Sequence, residues 1–283
     1  MSDTTAYLAR LGIAVPPPPT AGTLFLLHRR HLERVPYENL EIMLGRPPSV
    51  DAAASLGRIG EVGRAGYCFH QNGALELALR DLGYDVTRRH GHVWTAEADR
   101  LAGSLNHLVL VVGDLPTDDN PGGRWWVDVG LGDGFREPLP LVAGEYVQDG
   151  FRYRIDEVRP DGWSFRHDPT GSFTGVEVTS RPTDPVAVLG AHAELCAPGA
   201  GAFARIIVVQ RRHAGGATTL RGCLLHQVSA AGTTTTVLDT YDAWVAGLVD
   251  LGLSLQGIDP DDLRALFDRM LETHLSWVAA GSP

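Results

Sequence analysis

The sequence predicts an α+β fold, on three observations. The N-terminal third has helical spacing, short apolar runs cut by Gly, Pro and Asp turns begin near Val86, and helical spacing returns at the C-terminus. In the first stretch Tyr7, Leu8 and Leu11 share a helix face, and Gly12 with the Pro16–Pro19 run ends it. Thr23 is the expected cap of a second helix carrying Leu24, Leu27, His28, His31 and Leu32, which Pro36 terminates. A third helix is expected from Cys68, with Leu75, Leu77, Leu79 and Leu82 before the Gly83 stop. Val93-Trp94, Leu108–Val112, Trp125–Val129, Phe151–Ile155 and Trp163–Arg166 then read as strands of an antiparallel sheet or barrel. Pro182–Gly201 reads as a Pro/Ala/Gly-rich connection, followed by a hairpin of Ile206–Gln210 and Leu220–Leu225. Asp259-Pro260 opens a last helix with Leu263, Leu266, Phe267 and Met270 on one face.

A chain of 283 residues can hold one large domain or two to three subdomains, and its 44% hydrophobic and 20% charged residues are those of a folded protein. The formal charge of −10 argues against nucleic acid as a principal partner, which needs a basic face. All 24 basic side chains are arginine. Without lysine, Schiff-base chemistry and a P-loop are excluded, and a bound phosphate must be held by arginine, N–H groups or hydroxyls. Three cysteines make no disulfide framework. Residues 1–16 lack the basic flank and apolar run of a signal peptide, and no run approaches the roughly 20 apolar residues of a spanning helix. The expectation is a cytoplasmic protein without membrane or metal, its oligomeric state left open.

The chemistry is concentrated in Arg64-Ala65-Gly66-Tyr67-Cys68-Phe69-His70-Gln71-Asn72. Two small residues precede a cysteine at a helix start, where unpaired N–H groups and the helix dipole stabilise a thiolate and can face an oxyanion. A lone cysteine there is more often buried structure than nucleophile. Two later strands change that reading. His107 opens the apolar run Leu108-Val109-Leu110, and Asp128 sits within Trp125-Trp126-Val127-Asp128-Val129, where a carboxylate is costly unless paired. On neighbouring strands, Asp128 would orient His107, and His107 would activate Cys68. These roles alone are shared with cysteine proteases and transglutaminase-like proteins.

Residues 64–72 resemble the Arg-Gly-Gly-x-Cys motif of the arylamine N-acetyltransferases of bacterial type. Val35-Pro36-Tyr37-Glu38-Asn39-Leu40 resembles that family's Val-Pro-Phe-Glu-Asn-Leu segment, with Leu27-His28-x-x-His31 before it. Asn106-His107-Leu108 and Asp128-Val129-Gly130-Leu131-Gly132 resemble its His and Asp strands, and Phe203–Arg212 with Leu220-Arg221-Gly222 its last hairpin. The chain departs from the pattern at Ala65, His70, Leu131 and Cys196–Ala200.

The resemblance implies a helical bundle (1–85) bearing Cys68, an antiparallel β-barrel (86–200) bearing His107 and Asp128, and an α/β lid (201–283). Together these make a cysteine-protease-like catalytic core. It also implies acetyl transfer from acetyl-coenzyme A, as co-substrate, to a small aromatic amine or hydrazine, by a ping-pong path through Cys68. By the same resemblance Tyr37, Val93, Leu131 and Phe203 line the acceptor pocket, while Gly103, Ser104, Gly130 and Gly132 face the coenzyme. Arg64 is expected to pair with Glu38, and Asn72 to reach Asp128. An amide synthase closing a macrolactam, or a transferase of longer acyl chains, is the alternative on the same fold; an inert binding module and a cysteine hydrolase are further ones.

Other polar residues have plainer readings. His70 is expected to be a packed or surface histidine, and His28 and His31 to cap or hydrogen-bond in the core rather than bind metal. His90 and His92 are expected at the solvent or the cleft mouth. Cys196 and Cys223 read as small hydrophobes, and Trp125-Trp126 as barrel packing.

Overall fold

The computed structural model describes residues 3–181 and 183–281. Helix α1 (Asp3–Arg10) buries Tyr7 and Leu8. Helix α2 (Ala21–Arg34) starts earlier than expected: Thr20, not Thr23, has the extended cap backbone, and its hydroxyl accepts from Thr23 N–H at 3.2 Å. Strand β1 (Tyr37–Glu38) and helix α3 (Leu40–Met43) follow. Helix α4 (Ala52–Val62) was not anticipated; Asp51 caps it by accepting from Ala54 N–H at 2.9 Å. Helix α5 (Cys68–Asp81) runs through the middle, against α1, α4 and the barrel. Gln71, Asn72 and Glu76 are buried along with Leu75 and Leu79, so α5 has no solvent face over most of its length.

The barrel is built from β2 (Val86–Trp94), β3 (His107–Val112), β4 (Trp125–Val127), β5 (Leu139–Pro140), β6 (Gly144–Gln148), β7 (Phe151–Arg159), β8 (Gly162–Arg166) and β9 (Gly175–Thr179). All pairings are antiparallel, in the order β5-β4-β3-β2-β9-β8-β7-β6, and the sheet is nearly closed. Period-two alternation sorts its residues. Val109, Val111 and Trp126 enter the barrel core with Tyr153, Phe165 and Val176, whereas Leu110, Val112, Trp125 and Val127 pack outward on the helices. Strand β3 is therefore buried on both faces, and α5 lies directly behind it. That contact carries the N-terminus of α5 to the N-terminus of β3.

The expected connection at 182–201 instead contains helix α6 (Pro185–Leu195); Pro182 lies outside the described residues. Its start was signalled by Asp184, which caps it, and by Pro185 at the first helical position. Next come β10 (Val208–His213), β11 (Gly216–Arg221), β12 (Leu224–Ser229) and β13 (Gly232–Val237). The expected strand Leu220–Leu225 straddles a turn: Leu220 and Arg221 end β11, Gly222 and Cys223 make the turn, and Leu224 and Leu225 open β12, while Val208–His213 pairs with Gly216–Arg221. Strand β1 completes this sheet, with Tyr37 opposite Gln210. Helix α7 (Tyr241–Asp250), unanticipated, and α8 (Pro260–Ala279), capped by Asp259 as expected, cover it through Trp244, Leu248, Leu266 and Phe267. Among the described residues no helix is long and apolar enough to cross a membrane.

Candidate active site

Cys68 is the first residue of α5, and Tyr67 before it is the cap. The Tyr67 carbonyl accepts from His70 and Gln71 N–H, each at 3.0 Å, which leaves the Cys68 and Phe69 N–H groups outside the helix ladder. Free N–H groups and the positive end of the helix favour a thiolate and a developing oxyanion at this point. Gly66 is required by two constraints. Its φ is +132°, and a Cβ there would lie 2.5 Å from His70 Nδ1. Ala65 has no positive φ, and its methyl packs in the helical core, so alanine is tolerated where the motif has glycine.

Three chain segments meet at the sulfur. Cys68 Sγ donates to the Asn106 carbonyl at 3.5 Å and lies beside the adjacent His107 ring, whose charge it favours. His107 Nε2 is 2.7 Å from Asp128 Oδ2, so Nδ1 is the nitrogen left for the sulfur. Asp128, expected inside a strand, is the residue just past the end of β4. The loop that follows lies against Cys68: a Cβ on Gly130 would come within 2.7 Å of Cys68 Cα.

Four donors surround the Asp128 carboxylate. Oδ1 accepts from Asn72 Nδ2 at 2.7 Å and from Gly130 N–H at 3.0 Å; Oδ2 accepts from His107 and from Trp126 Nε1 at 3.2 Å. Each oxygen of the buried carboxylate thus accepts two hydrogen bonds, which offsets the cost of its burial. Burial alone would lower the His107 pKa; the Asp128 charge and the Cys68 sulfur override it and hold the imidazolium up to about 10.

Asn72 reaches Asp128 as expected, and also bonds the Leu108 carbonyl at 2.6 Å and Val129 N–H at 2.9 Å. Two supports were not anticipated. Trp126 is one. His28 is the other: Nδ1 donates to the Arg136 carbonyl at 2.9 Å and Nε2 accepts from Asp128 N–H at 3.2 Å. His31 sits between Tyr7 Oη and Gln71 Oε1, at 2.8 and 2.5 Å. Burial lowers the pKa of both histidines to about 4, so they serve as neutral hydrogen-bonding groups in the core. His70 is packed, bonded to the Pro48 carbonyl at 3.2 Å.

Arg64 does not pair with Glu38. Its guanidinium binds Glu41 at 2.9 Å and the carbonyls of Ser254 and Gln256 at 2.8 and 2.9 Å, while Glu38 turns back to accept from Leu40 N–H. A fork with five donors takes the carboxylate and the two carbonyls together.

The expected pocket residues fall in two neighbouring groups. Tyr37 and Phe203, ring centroids 6.5 Å apart, border the cluster that contains Cys68. Val93 and Leu131 belong to the barrel cluster, and Val93 N–H is held at 2.7 Å by Asn106, the neighbour of His107. Gly132, at φ +68°, faces Gln210. Gly103 and Ser104 lie on the loop before β3. That loop covers His90 and His92, which are buried beneath it and line a cleft beside Gly103, the second of the two expected placements. This cleft, of about 220 Å³, is also lined by Arg100, Arg159 and Arg181 and by the carboxylates of Asp161 and Glu177. Among the described residues no group of three or more His, Cys, Asp or Glu could hold a metal.

Residues 20–249 match the N-acetyltransferase family model. The chain is 36% identical over 149 residues to an arylamine N-acetyltransferase of Mycolicibacterium smegmatis, covering 52% of this chain and 53% of that protein. It is 35% identical over 169 residues to an arylamine N-acetyltransferase / N-hydroxyarylamine O-acetyltransferase of Salmonella typhimurium, covering 56% and 58%. These matches thus span little more than half of each relative. Solved structures extend the likeness: the M. smegmatis enzyme superposes with a TM-score of 0.84 at 26% identity, over 94% of this chain and 98% of that one. The Mycobacterium marinum enzyme in complex with CoA gives 0.83, with the same identity and coverage. The chain belongs to the arylamine N-acetyltransferase family.

Proposed function

We propose that the protein moves an acetyl group from acetyl-coenzyme A, through a Cys68 thioester, to the nitrogen of an arylamine or arylhydrazine. The observation that carries this reading is the line from Cys68 through His107 to an Asp128 carboxylate held by four donors. The Cys68 thiolate attacks the thioester carbonyl, and the unpaired N–H groups at the start of α5 are placed to receive the oxyanion. The coenzyme sulfur leaves with the proton of the His107 imidazolium. The amine, largely neutral at pH 7, then attacks the acyl-cysteine. Neutral His107 accepts the surplus amine proton, and the Cys68 thiolate departs, restoring the starting pair.

In this reading Tyr37, Phe203, Val93 and Leu131 form an apolar acceptor pocket, and Gly103 and Ser104 lie on the coenzyme side. In a lysine-free chain the group in the cleft at Gly103 left to hold a phosphate is Arg181, since Arg100 and Arg159 are paired with carboxylates. We read the three parts 1–85, 86–200 and 201–283 as nucleophile bundle, His/Asp barrel and lid.

The test is mass spectrometry of the protein after incubation with acetyl-coenzyme A and longer acyl-coenzyme A thioesters. An acetyl adduct on Cys68, discharged by an arylamine and absent in Cys68→Ala and His107→Ala, is the expected result. A protein that stays unmodified by every thioester would overturn the reading, and one charged only by long chains would replace the donor.

A further inference from the structure

Cys68 is 2% exposed, yet each half-reaction proposed above needs a carbonyl carbon to reach its sulfur. Part of its cover must therefore move. The cluster around it takes Ile42 from α3, Leu108 from β3, Tyr67 and Phe69 from the nucleophile segment, and Val188 and Cys196 from α6 and its end. Leu108 is fixed within the barrel, Phe69 belongs to the central helix, and Ile42 follows the strand β1 that the C-terminal sheet holds.

Helix α6 stands outside both sheets and packs mainly on the short turn Ala202–Ala204. Its inner face carries a stripe of Val188, His192 and Cys196 at four-residue spacing, with Ala191 and Leu195 half-buried beside it. The outer face is open to solvent, with Val186 at 79% and Leu189 at 59% exposure. Its C-terminal flank passes through Gly199, at φ +72° with open space around it. A helix that packs through one face only, belongs to neither sheet and is flanked by a free glycine is the element of the cover built to swing.

The stripe contains one strong polar tie. Tyr67 Oη is 2.8 Å from His192 Nδ1, and the two rings stack at 5.8 Å and 15°. His192 also meets the His70 ring edge-on at 5.5 Å, and Cys196 Sγ lies 3.5 Å from the same Nδ1. Tyr67 immediately precedes the nucleophile and caps its helix. The tie thus joins the moving part of the cover to the residue that sets Cys68 in place.

We propose that α6 is a lid over Cys68, held shut by the Tyr67 hydroxyl donating to His192, so that His192 is a positioning residue governing access to the sulfur. The proposal rests on Cys68 as the acyl carrier, but its test does not require acyl transfer. Removing either partner of the bond raises the open population by roughly fivefold, the net worth of one neutral hydrogen bond.

The readout is the pH–rate profile for alkylation of Cys68 by N-phenylmaleimide, with adducts located by mass spectrometry. Burial pushes the Cys196 and Cys223 thiols up to about 11, which keeps them slow competitors near neutral pH. Tyr67→Phe and His192→Phe keep aromatic rings and delete one partner each. In both, the plateau rate is expected to rise roughly fivefold with the midpoint pH unchanged, and the double variant should add nothing to either single one. A plateau equal to that of the parent protein in both single variants would overturn the lid. So would additive effects, or a moved midpoint on an unmoved plateau, since these indicate ordinary packing or altered thiolate chemistry. A parent midpoint near 8.5 would count against Cys68 as an activated nucleophile, while the plateau comparison would still decide the lid.

Discussion

At Asp128 the chemistry depends on charge more than on shape. Asp128→Asn preserves volume, but an amide NH₂ would then face groups that are themselves donors, Asn72 and Gly130 on one side or His107 and Trp126 on the other. The His107 pKa is raised by the Asp128 charge and the Cys68 sulfur against burial, so removing the carboxylate lets burial lower it. Because the folded value is raised, from 6.5 to about 10, the stability it contributes is fully present below 6.5 and lost as pH rises through about 10. We expect acetylation of Cys68 in the parent protein to decline only near pH 10. In Asp128→Asn it should fall at least 100-fold at pH 7, with its alkaline limb moved to lower pH; rapid-quench rates across pH 6–11 check both. Cys68, His107, Asp128 and Asn72 were legible because each stands in a motif. His28 and Trp126 were not, since a histidine on an apolar helix face and a tryptophan in a strand both read as core. The bond from His28 to residue 128 spans 100 positions that no local pattern relates.

Among the elements, those with a clean period were read correctly and those with small residues were missed. Helix α4 (AAASLGRIGEV) and α6 (PVAVLGAHAEL) are rich in Ala and Gly, so their apolar faces are faint although their Asp caps were in plain view. Glu38 was chosen as Arg64's partner by closeness to the motif, but on a strand and helix start the choice between Glu38 and Glu41 is settled by backbone direction. Arg64 joins α3, through Glu41, to the segment before α8, through Ser254 and Gln256, and is itself buried. Arg64→Ala leaves two carbonyls and half of a shared carboxylate without donors, and we expect a loss of about 3 kcal/mol in urea unfolding. Lysine should rescue little, because a single ammonium cannot span three acceptors in a plane. Burial raises the Glu41 pKa, but Arg64 and Arg58 outweigh it and the net shift is downward. Its stabilising contribution is therefore present above the ordinary value of about 4.5 and is lost as pH falls through its depressed one. The acid-induced loss of stability should be shallower in Arg64→Ala than in the parent.

The whole molecule is stitched more tightly than a reading in three successive parts suggests. Asn39, from the N-terminal third, donates to the carbonyls of Phe203 and Ile206, both at 2.8 Å, and accepts from Val208 N–H at 2.7 Å. Strand β1 supplies the edge of the C-terminal sheet, and Leu40 and Met43 enter the core beneath it. Residues 201–283 expressed alone would expose the backbone edge of β10 and leave a gap where Leu40 and Met43 belong. We expect that fragment to show no cooperative thermal transition and to aggregate, and the 283-residue chain to unfold in one transition when followed by tryptophan fluorescence and far-UV circular dichroism together. The same wholeness bears on the coenzyme. In the cleft beside Gly103, Arg100 is paired with Glu177 and Glu97, and Arg159 with Glu157 and Asp161, so their charges are already answered. Arg181 makes no ion pair among the described residues, its guanidinium reaching only the Gly103 carbonyl at 3.5 Å. If phosphate of the proposed donor sits here, Arg181→Gln should raise the KM for acetyl-coenzyme A roughly tenfold, leave kcat unchanged and flatten the dependence of KM on salt. Acetyl-pantetheine, which carries no phosphate, should be used equally well by variant and parent; an equal loss with both donors would move the phosphate site elsewhere.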